Sequence, residues 1–448
     1  MPIALLALAA FIAVIIVWNV VFKRNMGEAM LLGLVVTALF AGTRAPEYLL
    51  GGLTDALTHD VLFAALAFVF MAYLIDVTGL IQKILAILNS AFGRVRGGPA
   101  FIDTAGSAVF GALSGSNSAN TASSGSFTGP WMVRTGWSPT RAATVLAGNG
   151  GMGAALPPSA SMVIMIGFAG GMVTTGQVYL GLLIAGLYQI LLRIGLVTYF
   201  VRRDGIPKVD EHDLVPMRTS LRQGAGALTI FLGALIPIVL TVGPLATYLT
   251  ESTPLGDAVG DISLLTWIPI LIIGFSLIAG RDRLPRTVRD WSRLLDGALP
   301  RFATIGALLF FAIAASEILG RLGLAEDVNV ILESLPVGSA VMVVVVGLVV
   351  TLVAGPLSST ATLTAVGQIS LLALVGVGVD PLLAIIAILV FASTEGASPP
   401  ASGSIFVAAS LTGARPESTF LPLIVYYMIP IFLIGCLIGW GVLPILGV

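Results

Sequence analysis

The chain has 448 residues, 57% hydrophobic and only 10% charged, with a formal net charge of -1 and a mean hydropathy of +1.02. A water-soluble protein needs roughly 25% charged residues to cover its surface, so this composition excludes a soluble globular domain and places most of the surface against lipid. The near-neutral charge excludes an electrostatic footprint for nucleic acid, and a single cysteine, Cys436, with two histidines, His59 and His212, excludes a disulfide framework and a zinc cluster.

The N-terminal MPIALLALAAFIAVIIVWNVVFKR has no basic n-region, and its apolar run of about 20 residues is bilayer length, so it reads as a first span and not as a signal peptide. Further runs able to cross about 30 Å of hydrocarbon follow near 27–43, 61–82, 142–170, 177–200, 226–249, 262–279, 302–319, 382–410 and 418–445. Segments 99–133 and 337–376 are apolar with Gly/Ser/Thr-rich middles, which predicts two hairpins that enter and leave on one side. Residues 80–92 (LIQKILAILNSAF) are amphipathic, and predict either an interfacial helix or an extension of the third span. The polar stretch 202–222 predicts an arm or interfacial segment.

Basic loops alternate with acidic ones. Lys23 and Arg24, then Lys83, Arg94 and Arg96, then Arg202–Arg222, then Arg281–Arg293 mark the cytoplasmic side. Loops with Glu47 and Asp55, Glu251 and Asp257, and Glu326 and Asp327 mark the other side, with both termini outside.

Two segments match internally. GWSP at 136–139 and PPSAS at 157–161 find counterparts in GVDP at 378–381 and PPASGS at 399–404, at an offset of 242. GSNSANTA at 115–122 falls on GPLSSTAT at 355–362 at an offset of 240. The chain therefore reads as two repeats, 1–222 and 223–448, of inverted topology because each has an odd number of crossings. Each repeat holds a hairpin tip, 113–125 or 354–364, and a broken helix, 147–161 or 392–404. Non-helical backbone is tolerated at membrane depth only where protein or a watery cavity satisfies it. Small residues let two such breaks approach, free carbonyls and Ser, Thr and Asn oxygens suit a bare monovalent cation, and half-helix N-termini suit an anionic solute.

Other signals carry less. Gly148, Gly150 and Gly153 spell G-x-G-x-x-G, but no strand precedes them and two prolines follow, so no organic cofactor is expected. Ser114, Ser116 and Ser123 have no nearby histidine or lysine to activate a nucleophile, so an enzyme is not expected. Gly167 and Gly171 have a helix-packing spacing. Arg193 lies near enough to the cytoplasmic end of its span to snorkel.

The stretches GGLTDALTHDVLFAALAFVFMAYLIDVTGL, GRVRGGPA, GALSGSNSANTASSG, ALPPSASMVI, GVDPLLAIIAILV and SPPASGSIFVAAS resemble the large membrane subunit of TRAP (tripartite ATP-independent periplasmic) transporters. The resemblance implies an elevator-type secondary transporter in a bacterial inner membrane. It also implies sodium coupling, a small organic-acid substrate, a small four-span membrane partner and a periplasmic substrate-binding protein. Carried over by position, one sodium site would be formed by Ser114, Gly115, Ser116, Asn117, Gly148, Asn149, Gly153 and Pro157. A second would be formed by Gly355, Ser358, Ser359, Thr394, Glu395, Gly396, Ser398 and Pro399. Asn120, Thr121, Ser159, Thr360, Thr362 and Ser402 would face the substrate. Three positions depart from the family pattern: Asn120 and Ser359 stand where the tips often carry Asp, and Glu395 where the second break often carries Gly. The expected fold is thus an all-α integral membrane protein of about ten spans and two re-entrant hairpins. The competing readings are a stand-alone proton- or sodium-coupled carboxylate permease and a channel.

Overall fold

The computed structural model describes residues 3–447 apart from 115, 209–215, 242–243, 254–255, 257, 259–261, 325, 328–329, 331–337, 356 and 401. Every regular element among the described residues is helical. Five helices are long and apolar enough to cross a membrane, and a sixth span results if Gly42–Thr58 and Leu62–Val77, bent by 50°, count together. The chain is therefore a multi-pass membrane protein. The ten spans expected from hydropathy exceed this count because breaks and turns divide several apolar runs into helices of 10–17 residues, such as Ile3–Ile16 and Ser339–Ala354.

The first half runs through α1 (Ile3–Ile16), α2 (Met26–Leu39), α3 (Ala45–Thr58), α4 (Asp60–Val77) and α5 (Leu80–Phe92). It continues with α6 (Gly98–Ser114), α7 (Asn117–Arg134), α8 (Pro139–Gly150), α9 (Ala160–Phe168) and the long α10 (Thr175–Arg203). Helices α2, α3 and α4 pack against the 34-residue helix Val288–Arg321. Helices α6, α7 and α8 pack together, and Gly403–Thr412 from the other end of the chain lies against α7 and α8.

Helix α5 is a separate element. The chain turns at Gly79, whose φ of 67° is left-handed and whose missing side chain leaves room for Arg283. Its apolar face, with Leu80, Ile81 and Ile84, is buried, and Ser90 bonds Ser220 of the Met217–Gly224 helix at 2.5 Å.

Helix α10 shows what the lipid does to sequence pattern. Leu183, Leu187, Leu191 and Ile194 are exposed, while Gly186, Gln189 and Arg193 are buried. The apolar stripe faces outward and the polar groups face inward, as expected where the solvent is hydrocarbon.

The repeated GWSP and GVDP motifs are helix starts. Ser138 accepts from the Arg141 N–H and Asp380 from those of Leu382 and Leu383, each with Pro at the first helical position. The hairpin arms start the same way: Ser116 caps α7, and Ser358 caps the helix Ser359–Gly376, which carries a π turn at Leu363–Gly367. All four caps obey the 242-residue spacing. The tips therefore share the register of the breaks, and the 240 offset from matching letters at the tips is corrected. In the structural register Asn117 corresponds to Ser359, and Gly153 to Glu395.

Candidate functional site

The two helix breaks meet at the centre of the protein. After α8 the chain tightens into a 3-10 turn at Gly151–Gly153, then unwinds through a cis Pro157–Pro158 bond until Ser159 caps α9. In the other half Pro381–Ala392 gives way to a 3-10 turn at Ser393–Ala397 and a cis Pro399–Pro400 bond before Gly403–Thr412. The turns touch backbone to backbone: a Cβ on Gly151 would lie 2.6 Å from the Ser393 carbonyl oxygen, and one on Gly396 would lie 2.6 Å from the Gly151 nitrogen. Only glycine permits that approach.

Each tip rests on the break of its own half. A Cβ on Gly153 would come within 2.8 Å of Asn117 Oδ1, and one on Gly150 would strike Thr121 Oγ1. Ser359 Oγ donates to the Ala392 carbonyl at 2.9 Å and to Glu395 Oε2 at 3.4 Å. The tips also bond each other across the centre. Asn117 Nδ2 donates to Ser359 Oγ at 2.8 Å and to Glu395 Oε2 at 2.5 Å. Glu395 is 5% exposed, and Ser402 Oγ reaches its Oε1 at 3.4 Å. Among the described residues its hydrogen-bond partners are thus neutral donors, and no ion pair includes it.

The other site candidates divide into those that carry backbone and those that carry polar contacts. Gly115 and the Ser114 side chain lie outside the described residues. The Gly148 carbonyl is engaged by Arg193. Thr394 Oγ1, Ser398 Oγ and Thr362 Oγ1 return to backbone carbonyls one turn away, and Gly355 ends its helix. Asn120 Nδ2 donates to the carbonyls of Ser107 and Gly150, joining both hairpin arms to the break.

A cavity of about 230 Å³ opens beside this junction, lined by both tips through Ser116, Asn117, Ser358 and Thr360, and by Glu395. Its other wall is apolar, with Ile305 and Leu308 from Val288–Arg321, and Ala160 brings the first turn of α9 to its edge. A second cavity, about 530 Å³, shares Ser116 and Ile305 with it and runs out past the Arg301–Asp76 ion pair. Asn120, Thr121, Ser159, Thr362 and Ser402 are absent from both linings.

Two charged residues change the picture drawn from sequence. A second carboxylate is as deeply buried as Glu395. Asp103 of α6 is 1% exposed and accepts from Thr128 Oγ1 at 2.7 Å, from Asn149 Nδ2 at 2.8 Å and from Ser124 Oγ. Its signal was present: a lone acid within the apolar arm GPAFIDTAGSAVF. Arg193 does not snorkel. It is 0% exposed, because its guanidinium grips Gly148 O and Gln189 inside the protein.

A profile of the family described as "Tripartite ATP-independent periplasmic transporter, DctM component" matches residues 3–446. The chain belongs to that family. It is 23% identical to the C4-dicarboxylate TRAP transporter large permease protein DctM of Pseudomonas aeruginosa over 83% of this chain and 82% of that one. A 150-residue stretch is 31% identical to the DctM protein of Vibrio cholerae, covering 34% of this chain and 33% of that one. The isethionate TRAP transporter permease protein DctMQ of Oleidesulfovibrio alaskensis is 22% identical, over 93% of this chain and 62% of that protein. The fold is also shared with the YdaH transporter of Alcanivorax borkumensis, at a TM-score of 0.62 and 15% identity over 89% of both chains. The DctM family is one of transporter permeases, and membership places the cavity and the paired breaks in a membrane transporter.

Proposed function

We propose that this DctM-family chain is the permease subunit of a sodium-coupled importer for a small organic acid in a bacterial inner membrane. In this reading it works with a small four-span membrane subunit and a periplasmic substrate-binding protein. The observation that carries the sodium reading is a set of buried amide oxygens. Oδ1 of Asn117, Asn120 and Asn149 has no hydrogen-bond partner among the described residues, although all three residues are at most 2% exposed. A buried acceptor left unpaired costs about 1–3 kcal/mol, and a dehydrated monovalent cation is one partner that satisfies it. The residues fit such an ion in kind: Asn117 Oδ1 lies against the first break at Gly153 with Glu395 on the same amide, and Asn149 lies beside Asp103, so neutral amide oxygens stand with a carboxylate close by. Sodium enters here as a co-substrate.

The substrate reading rests on the cavity between the tips. The 18-residue α7 presents its capped N-terminus there, where helix dipole and free N–H groups favour an anion. Relatives named for C4-dicarboxylates and for isethionate transport small organic anions, which agrees with that chemistry. An elevator motion of the hairpin-and-break core is supported by the apolar wall that Ile305 and Leu308 present to the tips, although such a motion would have to break the Ser316–Gln368 hydrogen bond further along the same helix. Inverted repeats and about ten spans complete the proposed topology.

The test is solute uptake into proteoliposomes containing the chain with its partner subunits. Uptake should follow an inward sodium gradient and stop when potassium replaces sodium at fixed pH. Undiminished uptake in potassium would refute sodium coupling.

A further inference from the structure

Helix α10 touches both breaks through two side chains one turn apart. Arg193 donates from Nε and Nη2 to the Gly148 carbonyl at 3.2 and 3.0 Å, in the last turn of α8. Carbonyls there lack helical partners, and a cation is favoured at a helix C-terminus. Arg193 Nη1 then donates to Gln189 Oε1 at 2.9 Å and to the Gln189 carbonyl at 3.2 Å. Gln189 Nε2 donates onward to Ser393 Oγ at 3.0 Å, and Ser393 Oγ donates to the Val390 carbonyl at 2.6 Å. The chain of bonds runs from the first break to the second without interruption, and Arg193, Gln189 and Ser393 are all 0% exposed.

Apolar packing along α10 also buries Val178, Leu182, Ala185 and Val197, so the polar arrangement adds to an already anchored helix. A guanidinium buried without a carboxylate partner is costly, and none of the ion pairs among the described residues includes Arg193. The Tyr427 ring, 6.0 Å away, returns part of that cost as a cation–π contact. The cost is met where two unwound segments touch, at Gly151 against Ser393 and Gly396, the backbone that would carry the coupling ion.

We infer that Arg193 and Gln189 form a latch that locks the two breaks in one register, so that they are positioning residues for coupling-ion binding. The inference rests on the sodium reading above. Neither side chain is assigned as an ion ligand. They act as supports behind the ligands, by fixing Gly148 on one side and Ser393 on the other.

The experiment measures the sodium concentration for half-maximal uptake, and sodium-dependent melting of purified protein, in Gln189→Leu, Ser393→Ala and the double variant. Ser393→Ala removes one hydroxyl and guards against a Gln189→Leu protein that does not fold. Loss of a supporting contact should raise the sodium requirement by about tenfold in each single variant. The double variant should be no worse than either, because both changes cut the same link. Substrate KM at saturating sodium should stay within about twofold of wild type, since the link touches no residue of the substrate cavity. Gln189→Glu keeps the acceptor for Arg193 but replaces the donor to Ser393 Oγ with an acceptor, so it breaks the link with Arg193 still paired and should raise the sodium requirement as Gln189→Leu does. Variants that melt earlier but keep the wild-type sodium requirement would overturn the inference and leave a purely structural staple. Additive effects in the double variant would overturn it too. A wild type whose uptake and melting both ignore sodium would defeat the coupling reading and this inference together, whereas a sodium-responsive wild type with unaltered variants defeats only this inference.

Discussion

Glu395 and Asn149 carry the two sharpest expectations at the residue scale. Glu395 faces the cavity with Asn117, Ser359 and Ser402 as neutral hydrogen-bond donors. In the 242 register it stands where the first half has Gly153, while the longer tip residue, Asn117, stands where the second half has Ser359. The larger polar group sits on the tip in the first half and on the break in the second, so the cavity between the tips takes its carboxylate from the second half, while Asp103 of the first half serves Asn149. Glu395→Gln keeps the shape and the acceptor oxygen but removes the charge that would balance a bound cation. It should insert normally and raise the sodium requirement for uptake, read from flux against sodium concentration and pH. An unchanged sodium response and pH profile would reduce Glu395 to a structural role. Asn149→Leu removes the donor to Asp103 Oδ2 and Thr104, leaving a buried carboxylate oxygen short of a partner. That should cost about 1–3 kcal/mol and abolish most transport. Detergent-solubilised protein should melt below wild type, and equal melting curves would show that Asp103 has another donor.

At the scale of elements, the breaks are built from recognisable parts. Ser138 with Pro139 and Asp380 with Pro381 start the half-helices, and the double prolines end the turns that follow. Because the breaks meet backbone to backbone, Gly151 and Gly396 should not accept even a methyl group. Gly151→Ala and Gly396→Ala force the Ser393 carbonyl or the Gly151 peptide aside, and strain of this kind costs about 1–3 kcal/mol. Both variants should lose transport and melt early. Gly195→Ala is the control, because nothing lies within 4 Å of a Cβ there and α10 faces lipid nearby. A Gly396→Ala protein that melts and transports as well as the control would show that the breaks have room to separate.

For the whole molecule, membership of the DctM family, named for a component of a tripartite transporter, bears on partners. The chain should copurify with a small hydrophobic subunit from its native membrane. Full solute uptake in liposomes holding this chain alone would contradict that expectation. It would favour a stand-alone permease.

Membrane residence, the small-residue tips and the proline-interrupted breaks were legible in the sequence, because each is written in local composition: apolar runs, Gly/Ser/Thr tips and P-P pairs; that GWSP and GVDP start helices came from the caps. Asp103 left a signal, a lone acid in an apolar arm, that the sequence reading passed over, and its meaning depends on Asn149, 46 residues further along. The register of the tips needed the capped helices, since matching letters favoured an offset of 240 and the caps obey 242. Only the tertiary structure could decide that Asn117 reaches Ser359 and Glu395 in the other half, and that Arg193 turns inward to the first break. These are contacts between segments distant in the chain. A single sequence carries local propensity and the solvent each face prefers, but the pairing of buried polar groups is set by which backbones are brought together when the helices pack.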